Sequence, residues 1–410
     1  MNGTYTLEVL NAETLATLDA EEWDALSTSA LEANPYYARA YVLAGLATVD
    51  AQAGVQALSI RRNGMLAGLF PFRVKKWPLK RAVAAANHYQ PSGQPLIHRA
   101  YAGGVVKAWL NAIRGGKMPR RWTFRNIDLS SPFLTLCREH DNDNAFETVP
   151  TGSYRRARLD RRPENFEAHL ETVVSKRRVK DIRRTIRRLQ ELGDLTFERV
   201  HEPDAVAQRI EDFLAIEHGG WKGKTGTSFL ADPADAEFAR RAFVSKGALK
   251  TSVDSLLLNG QPIAVSINLQ SGDTIFTPKC AYDEAYRKHS PGLVLEYLIV
   301  EAFYASEEDV QMDSSTTVDG HVVQGLWNSE VQMGSVVIGP KGLGTNVLAS
   351  AQRAKAFLRA WLKSLLTSPK EAGPVSALRS LVRRFKTAQT NTVIYAASFP
   401  HAADHLLHWI

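Results

Sequence analysis

At 410 residues, with 44% apolar and 23% charged side chains, the chain has the composition of a folded globular protein, which excludes wholesale disorder. Its two cysteines, Cys137 and Cys280, exclude a disulfide framework and a cysteine-based zinc site, so we expect both to be reduced and structural. The net charge of +7 is uneven, because residues 155–188 and 347–386 each carry +8 and leave an acidic remainder.

The start of the chain and its apolar stretches predict a cytoplasmic protein. The first eight residues include Glu8 and do not show a basic region followed by an apolar region, which is the order found in a secretory signal. Apolar stretches such as Leu293–Val300 are too short to span a bilayer. The length itself predicts two domains and an appendage, at roughly 100–200 residues per domain.

The first half of the chain predicts a mixture of helices and strands. Helical patterns cover Ala20–Leu26, Pro35–Ala44 and Ala102–Arg114. Between them, Ala57–Phe72 reads as a hairpin whose turn is Asn63-Gly64, since Asn-Gly accepts the positive φ angles of tight hairpins.

The second half repeats this pattern more clearly. Ser255–Leu269 predicts a second hairpin, turning at Asn259-Gly260, and this recurrence favours an internal duplication, although such hairpins occur in any sheet protein. Arg177–Leu192 places Val179, Ile182, Ile186 and Leu189 on one helical face and arginines on the other. The remaining predicted helices are Ala205–His218, Asp235–Ser245 and Pro291–Ala305, and the remaining strands are Thr274–Cys280, Val310–Asp313 and Val331–Ile338.

The C-terminal part has a different character. Lys341–Gly344 reads as a linker, followed by two basic amphipathic helices, Val347–Leu366 and Val375–Lys386, which prolines at 369 and 374 separate. Such helices pack on a protein body or lie on an anionic membrane surface. Three histidines and one aspartate would share a helical face near the end, but we expect no metal site there. They are His401, Asp404, His405 and His408.

The segment Tyr282–Glu296 carries the main functional signal. It follows a strand and enters a helix that Ser290 is placed to cap, with Pro291 at the first helical position. A helix start of this kind presents free backbone N–H groups to an anion, and Arg287 and Lys288 add positive charge. The pattern fits the pyrophosphate of a coenzyme A thioester; the alternative is an ordinary capped helix with solvated basic residues.

The run Tyr282–Leu295 resembles the block Tyr-Asp-x-x-Tyr-Arg-x-x-Ser-Pro-Gly-x-x-Leu of the GNAT acyltransferase superfamily, in the branch of the cellulose-biosynthesis-associated acetyltransferases and Fem-type peptidyltransferases. Arg287-x-x-Ser290-x-Gly292 has the spacing of the GNAT pyrophosphate loop, with serine in place of the first glycine. The companion segments Ser175–Gly193, Gly220–Thr227 and Met312–Ser315, followed by Trp327, resemble the same branch in the same order. The detailed resemblance covers about residues 164–333.

This resemblance implies an α/β (α+β) fold of tandem GNAT-like domains, each a mixed central sheet flanked by helices, plus a C-terminal helical appendage. We predict a supporting GNAT-like domain over residues 1–155, an acyltransferase domain over 156–340 and a basic helical tail over 341–410. The implied reaction transfers an acyl group from acetyl-CoA or another acyl-CoA directly to an amine or hydroxyl, with no metal. The acceptor would be a small molecule, a polysaccharide or a peptide amine.

The resemblance also implies site residues. We expect the cofactor to contact a set in the loop and helix start: Arg287, Lys288, His289, Ser290, Gly292 and Leu293. Asp313 is the first choice for proton acceptor or amine anchor, Tyr286 for proton donor to the leaving sulfur, and Lys222 for a contact to a carboxylate. Trp221, Ser314 and Trp327 would line the substrate. For each of these residues the structural alternative is a turn, a solvated surface or core packing.

Two other functions stay open on the sequence alone. The Arg-rich helix is the kind of basic surface that binds nucleic acid, and aminoacyl-tRNA is the donor of the Fem relatives. No aromatic residues interleave its basic face, which favours a solvated face or an acidic acceptor. The third possibility is a non-catalytic scaffold that attaches to a membrane surface through its C-terminal helices.

Overall fold

A single mixed sheet organises the chain in the computed structural model, which describes residues 3–87, 89–141, 143–161, 165–317, 323 and 325–367. The described residues up to Asn346 form one compact unit, and those from Val347 belong to a second. The predicted helix Val375–Lys386 and the four residues His401, Asp404, His405 and His408 lie outside the described part.

The strands are β1 (Tyr5–Leu10), β2 (Val55–Arg62), β3 (Met65–Lys75), β4 (Arg81–Ala84), β5 (Leu96–Ile97), β6 (Trp122–Asp128), β7 (Phe146–Asp160), β8 (Leu195–Val200), β9 (Lys250–Leu258), β10 (Gln261–Ser271), β11 (Thr274–Tyr282), β12 (Gln311–Asp313) and β13 (Ser329–Pro340).

The helices are α1 (Ala12–Ala16), α2 (Ala20–Thr28), α3 (Arg39–Ala47), α4 (Ala102–Arg114), α5 (Pro132–Glu139), α6 (Phe166–Val173), α7 (Lys176–Gln190), α8 (Pro203–Gly219), α9 (Trp221–Lys224), α10 (Pro233–Ala242), α11 (Pro291–Ala305) and α12 (Leu343–Thr367). Short 3₁₀ helices cover Pro35–Tyr37, Arg99–Tyr101, Phe229–Ala231 and Glu284–His289. Within the described residues, no helix combines the length and the apolarity needed to cross a bilayer.

The order of the strands is nearly palindromic. It runs β1-β2-β3-β4-β6-β13-β7-β12-β11-β10-β9-β8, with β5 attached beside β3. In each half, antiparallel strands precede one parallel pair, β4 with β6 and β11 with β12. A helix, α4 or α11, lies between the two strands of each parallel pair along the chain. The fold is therefore α/β and built of two similar halves.

The last strand of each half pairs in the opposite half. β7 pairs with β12, and β13 pairs with β6, while β7 and β13 pair with each other at the centre. The predicted domain boundary at 155/156 falls inside β7. The two halves share one continuous sheet, so the division into two domains at this point stays a prediction.

The two hairpins form as predicted, and their turns share a further detail. Asn63 and Asn259 have φ angles of 50° and 51°. In the first half, the Asn63 side chain accepts a hydrogen bond from the Thr4 N–H at 2.9 Å. In the second, Asn259 accepts one from the Asp194 N–H, also at 2.9 Å. Each asparagine thus holds the residue that precedes the outermost strand of its half.

Several predicted helices and strands differ from the structure in their bounds, as Asp235–Ser245 differs from α10, and three predicted elements differ more substantially. Pro35–Ala44 is split, because Ala38 has extended backbone (φ −60°, ψ 145°) between the 3₁₀ turn and α3. The Trp-Lys-Gly turn is a one-turn helix, α9. The predicted linker Lys341–Gly344 is shorter, because α12 already begins at Leu343; a glycine in the first turn costs only about 1 kcal/mol.

Helices cover the second half of the sheet on both faces. On one face, α6, α7 and α11 bury Leu170, Ile182 and Leu295. On the other, α8 and α10 pack with aromatic side chains that come from the first half, among them Tyr36 and Tyr41. The junction between the halves is therefore an apolar core, and it adjoins the functional segment.

Candidate functional site

The edge of β11 that faces β12 is open where the segment Tyr282–Glu296 begins. β11 and β12 pair only over Thr274–Phe276, and β12 ends at Asp313. The next residue, Ser314, donates its N–H to the Ala157 carbonyl of β7 at 3.1 Å. The chain after β12 therefore follows β7, while β11 continues with β10 as its only described strand partner. No described strand pairs with this side of residues 277–282, which leaves a backbone edge for an extended ligand.

The loop after β11 leads into α11 through a left-handed residue. Ser290 is the N-cap of α11 as predicted, with φ 43° and ψ 53°, but its side chain makes no capping hydrogen bond. Its backbone carbonyl accepts from the N–H groups of Leu293 and Val294, at 2.9 and 3.2 Å. Among described residues, nothing accepts from the Gly292 N–H, and the Ser290 hydroxyl has no partner. Both groups are available to an anion at the helix start.

Basic residues directly precede this helix start, and more lie on the neighbouring helix α7. Arg287 and Lys288 are exposed, and His289 is half-buried. Tyr286 and Leu293 pack against the same apolar cluster as Val179 and Ile186. The 3₁₀ helix of the loop therefore lies against α7, whose opposite face carries exposed basic residues. These residues are Lys176, Arg177, Lys180, Arg183, Arg184, Arg187 and Arg188.

Glu284 ties α9 to the loop. Its carboxylate accepts from the Trp221 N–H at 2.8 Å and from Lys224 Nζ at 3.0 Å. The Trp221 side chain stays 46% exposed. Lys222 instead pairs with the buried Glu217 at 2.7 Å, and the second Glu217 oxygen accepts from the Phe229 N–H. The structure thus brings Trp221 and Lys222 beside the loop, with Lys222 already engaged by a carboxylate.

Asp313 and Ser314 lie at the other side of the open edge, in a buried polar network. Arg156, 1% exposed, places a guanidinium nitrogen 3.5 Å from Asp313 Oδ1, which also accepts from the Ser315 N–H at 2.7 Å. Ser315 shares a 2.6 Å hydrogen bond with the Tyr36 hydroxyl. No described residue donates to Asp313 Oδ2. The network fixes the carboxylate and leaves one oxygen to accept a proton or an amine.

Arg156 is held by more than Asp313. It donates to the carbonyls of Pro91 and Thr316, at 2.6 and 2.8 Å, and to the Tyr154 hydroxyl at 3.0 Å. Four partners surround the guanidinium, so its position is set by the fold. Because Pro91 and Tyr36 come from the first half, that half contributes directly to the surroundings of Asp313.

Trp327 lies away from these groups. It is 4% exposed and packs in the core on the α11 side of the sheet. Burial raises the pKa of the neighbouring Glu296 to about 8, and the Asp254 charge adds to this rise while the Trp327 indole opposes it. The structure therefore places Trp327 behind the helix rather than at the open edge.

Lys279 lies on the open part of β11, and no sequence pattern pointed to it. Its Nζ lies 5.2 and 5.0 Å from the ring centroids of Tyr89 and Phe229. Burial, together with the nearby Lys222 charge, lowers the pKa of Lys279 to about 8. The adjacent Cys280 side chain is exposed. A single lysine in a strand has no distinguishing spacing, so only the fold reveals its position.

The described residues contain no group of three or more His, Cys, Asp or Glu side chains arranged to hold a metal ion.

Comparison with known proteins identifies the second half. Residues 175–313, from the start of α7 to the end of β12, match the family model of the Acetyltransferase (GNAT) domain. No curated protein sequence matches the chain.

Solved structures match over most of the chain at low identity. A conserved protein of unknown function from Bacteroides thetaiotaomicron is 12% identical, with a TM-score of 0.52, over 80% of this chain and 98% of that one. FemX is also 12% identical, with a TM-score of 0.50, over 78% and 96%. These likenesses establish the fold. Residues 175–313 thus match the GNAT acetyltransferase family, and the fold of most of the chain is similar to that of FemX.

Proposed function

We propose that the chain is an acyltransferase that takes its acyl group from an acyl-CoA bound along the open edge of β11. The main support for this proposal is that three features follow one another along the chain: an unpaired strand edge, a left-handed turn and a basic helix start. The edge suits the extended pantetheine arm, which has amide groups to pair with a strand. The free Gly292 N–H and Ser290 hydroxyl, with Arg287 and Lys288, suit the pyrophosphate.

The transfer would be direct. The acceptor amine or hydroxyl attacks the thioester carbonyl, a bond to carbon forms, and the carbon–sulfur bond breaks to release the CoA thiolate. The protein positions the two reactants and takes a proton from the acceptor. We assign the proton to Asp313 Oδ2, because the other oxygen is occupied by Ser315 and Arg156. Tyr286 stays the predicted proton donor to sulfur, and Trp221 the predicted acceptor wall.

Calorimetric titration with acetyl-CoA tests the donor. Wild-type protein should bind, and Gly292→Glu should abolish binding, because its carboxylate would occupy the anion position. A Cβ at Gly292 would lie 3.4 Å from Tyr282, an ordinary contact, so Gly292→Ala should fold and keep binding.

Gly152→Glu is the matched control, since a Cβ on that exposed glycine of β7 meets nothing within 4 Å. It should bind acetyl-CoA like wild type. If wild-type protein binds none of several acyl-CoAs, the proposed donor is wrong.

Aminoacyl-tRNA is the second candidate donor, and one observation favours it. The loop that bears Arg287 and Lys288 packs on α7, which carries seven further exposed basic residues, so this part of the chain has more positive charge than a single pyrophosphate needs. Contacts to several phosphates make affinity fall steeply with salt. A steep loss of tRNA binding between low and physiological salt, together with no binding of acyl-CoA, would select this donor.

A further inference from the structure

Lys279 is a cation in a setting built of aromatic rings. Tyr89 and Phe229 stack with their centroids 5.1 Å apart, and the Lys279 ammonium lies over both rings. Such contacts attract the ammonium to the ring faces and hold the side chain in place. None of the described carboxylates lies within ion-pairing distance of Lys279. The amine is therefore positioned without being neutralised.

The charged groups near Lys279 lie on α8, α9 and α10. Glu217 of α8 is occupied by Lys222 of α9 and by the Phe229 N–H. Asp235 of α10 interacts with the Tyr89 hydroxyl. On β11 itself, the Cys280 thiol is the neighbouring titratable group. The two carboxylates thus have other partners, and Lys222 repels the Lys279 charge.

Lys279 also belongs to residues 277–282, the part of β11 that no described strand pairs with on the side facing β12. Under the proposed function, on which this inference rests, the thioester arm lies along that edge. The Lys279 amine then stands on the strand that carries the donor, on the face shared with α8, α9 and the aromatic core at the junction of the halves. An amine fixed at this position is a nucleophile close to an acyl group.

We propose that Lys279 is a self-acylation site, at which the protein transfers an acyl group from its bound acyl-CoA to its own side chain. The neutral Nζ attacks the thioester carbonyl, a carbon–nitrogen bond forms, and the carbon–sulfur bond breaks. CoA leaves as the thiolate and takes the proton that the nitrogen loses, so the products are an amide and free CoA. The amide removes an unpaired charge from a half-buried site.

The ionisation of Lys279 supports this chemistry. With a pKa of about 8, roughly one amine in ten is neutral at pH 7. For a lysine at the ordinary value of 10.5, the fraction is roughly one in 3,000. Acylation of Lys279 should therefore rise with pH and level off above about pH 9, whereas acylation of exposed lysines should keep rising towards pH 10.

The experiment incubates full-length protein with acetyl-CoA and follows intact mass, with peptide mapping to locate the acetyl group. Wild type should gain one acetyl group at Lys279, stable to hydroxylamine, with a half-maximal initial rate near pH 8. Lys279→Arg should lose that modification, while Lys250→Arg, at an exposed lysine on β9, should keep it. Gly292→Glu should also lose it, because the donor no longer binds.

Mapping of the wild-type protein decides the matter even if Lys279→Arg folds poorly. Acetyl-CoA binding without acetylation of Lys279 would overturn this inference and leave the proposed function standing. So would an acetyl group on Cys280, which hydroxylamine would cleave as a thioester, or acetylation spread equally over exposed lysines. Absence of acetyl-CoA binding in calorimetry would overturn both proposals.

Discussion

Two neighbouring arginines on β7 show how burial decides the value of an ion pair. Arg156 is 1% exposed and faces Asp313, whereas the Arg155 side chain is 60% exposed and pairs with Glu330 at 3.2 Å. An exposed pair contributes at most about 1 kcal/mol, because water screens it. Removing one partner of a buried pair leaves an uncompensated charge, which costs about 3–5 kcal/mol.

We therefore expect Arg156→Met to lower the free energy of unfolding by about 3–5 kcal/mol. Urea denaturation measures the change, and Arg155→Met is the control, with an expected loss below about 1 kcal/mol. Equal losses for the two variants would contradict the assignment of Asp313 to a charged, buried network.

At the residue scale, predictions were most accurate where local backbone geometry determines the structure. The helix start at Pro291, with Ser290 as its N-cap, was predicted, and its binding of an anion stays a proposal. The Ser290 side chain makes no capping hydrogen bond, because its left-handed backbone departs from the extended geometry in which an N-cap side chain reaches the first turn. Arg156 and Lys279 could not be predicted, since their roles depend on groups far along the chain, such as Pro91 and Tyr89.

At the scale of elements, the two Asn-Gly hairpins are equivalent parts of the two halves. Each turn asparagine is in the left-handed region and binds the residue before an outer strand. Local patterns predicted these hairpins, and also α4 and α11 with their observed bounds, because turn chemistry and helical periodicity are encoded by neighbouring residues.

Asn259→Ala should destabilise the protein by about 2 kcal/mol, since it loses the bond to Asp194 and places alanine at positive φ. Asn259→Gly loses the same bond without the backbone strain, so we expect about half that cost. Chemical denaturation of both variants provides the measurement. An alanine variant as stable as the glycine variant would argue against strain at this turn.

At the scale of the whole molecule, an exchange of strands joins the halves: β7 and β13, the last strand of each half, each pair with a strand of the opposite half. The predicted duplication is consistent with the palindromic strand order, but the exchange itself was not predicted. Strand patterns specify which residues face a core, whereas partners distant in sequence are selected by tertiary packing. For the same reason the contribution of Tyr36 and Pro91 to the site became visible only in the fold.

Fragments cut between β7 and α6 test this connection. We expect residues 1–160 and 161–346, expressed separately, to lack cooperative unfolding, because each leaves central strand edges unpaired. Mixed together, they should regain the thermal transition of intact 1–346, as followed by circular dichroism. A cooperative transition in either fragment alone would show that the halves fold independently.

The exchange of strands also has a consequence for synthesis on the ribosome. β6 emerges early, yet its neighbour β13 ends at Pro340, about 200 residues later. At roughly 5–20 residues per second, the first half waits for tens of seconds with an unsatisfied strand edge. Translation speed and chaperone supply should therefore affect the yield of folded protein here more than they do for a protein whose domains each fold as soon as they are synthesised.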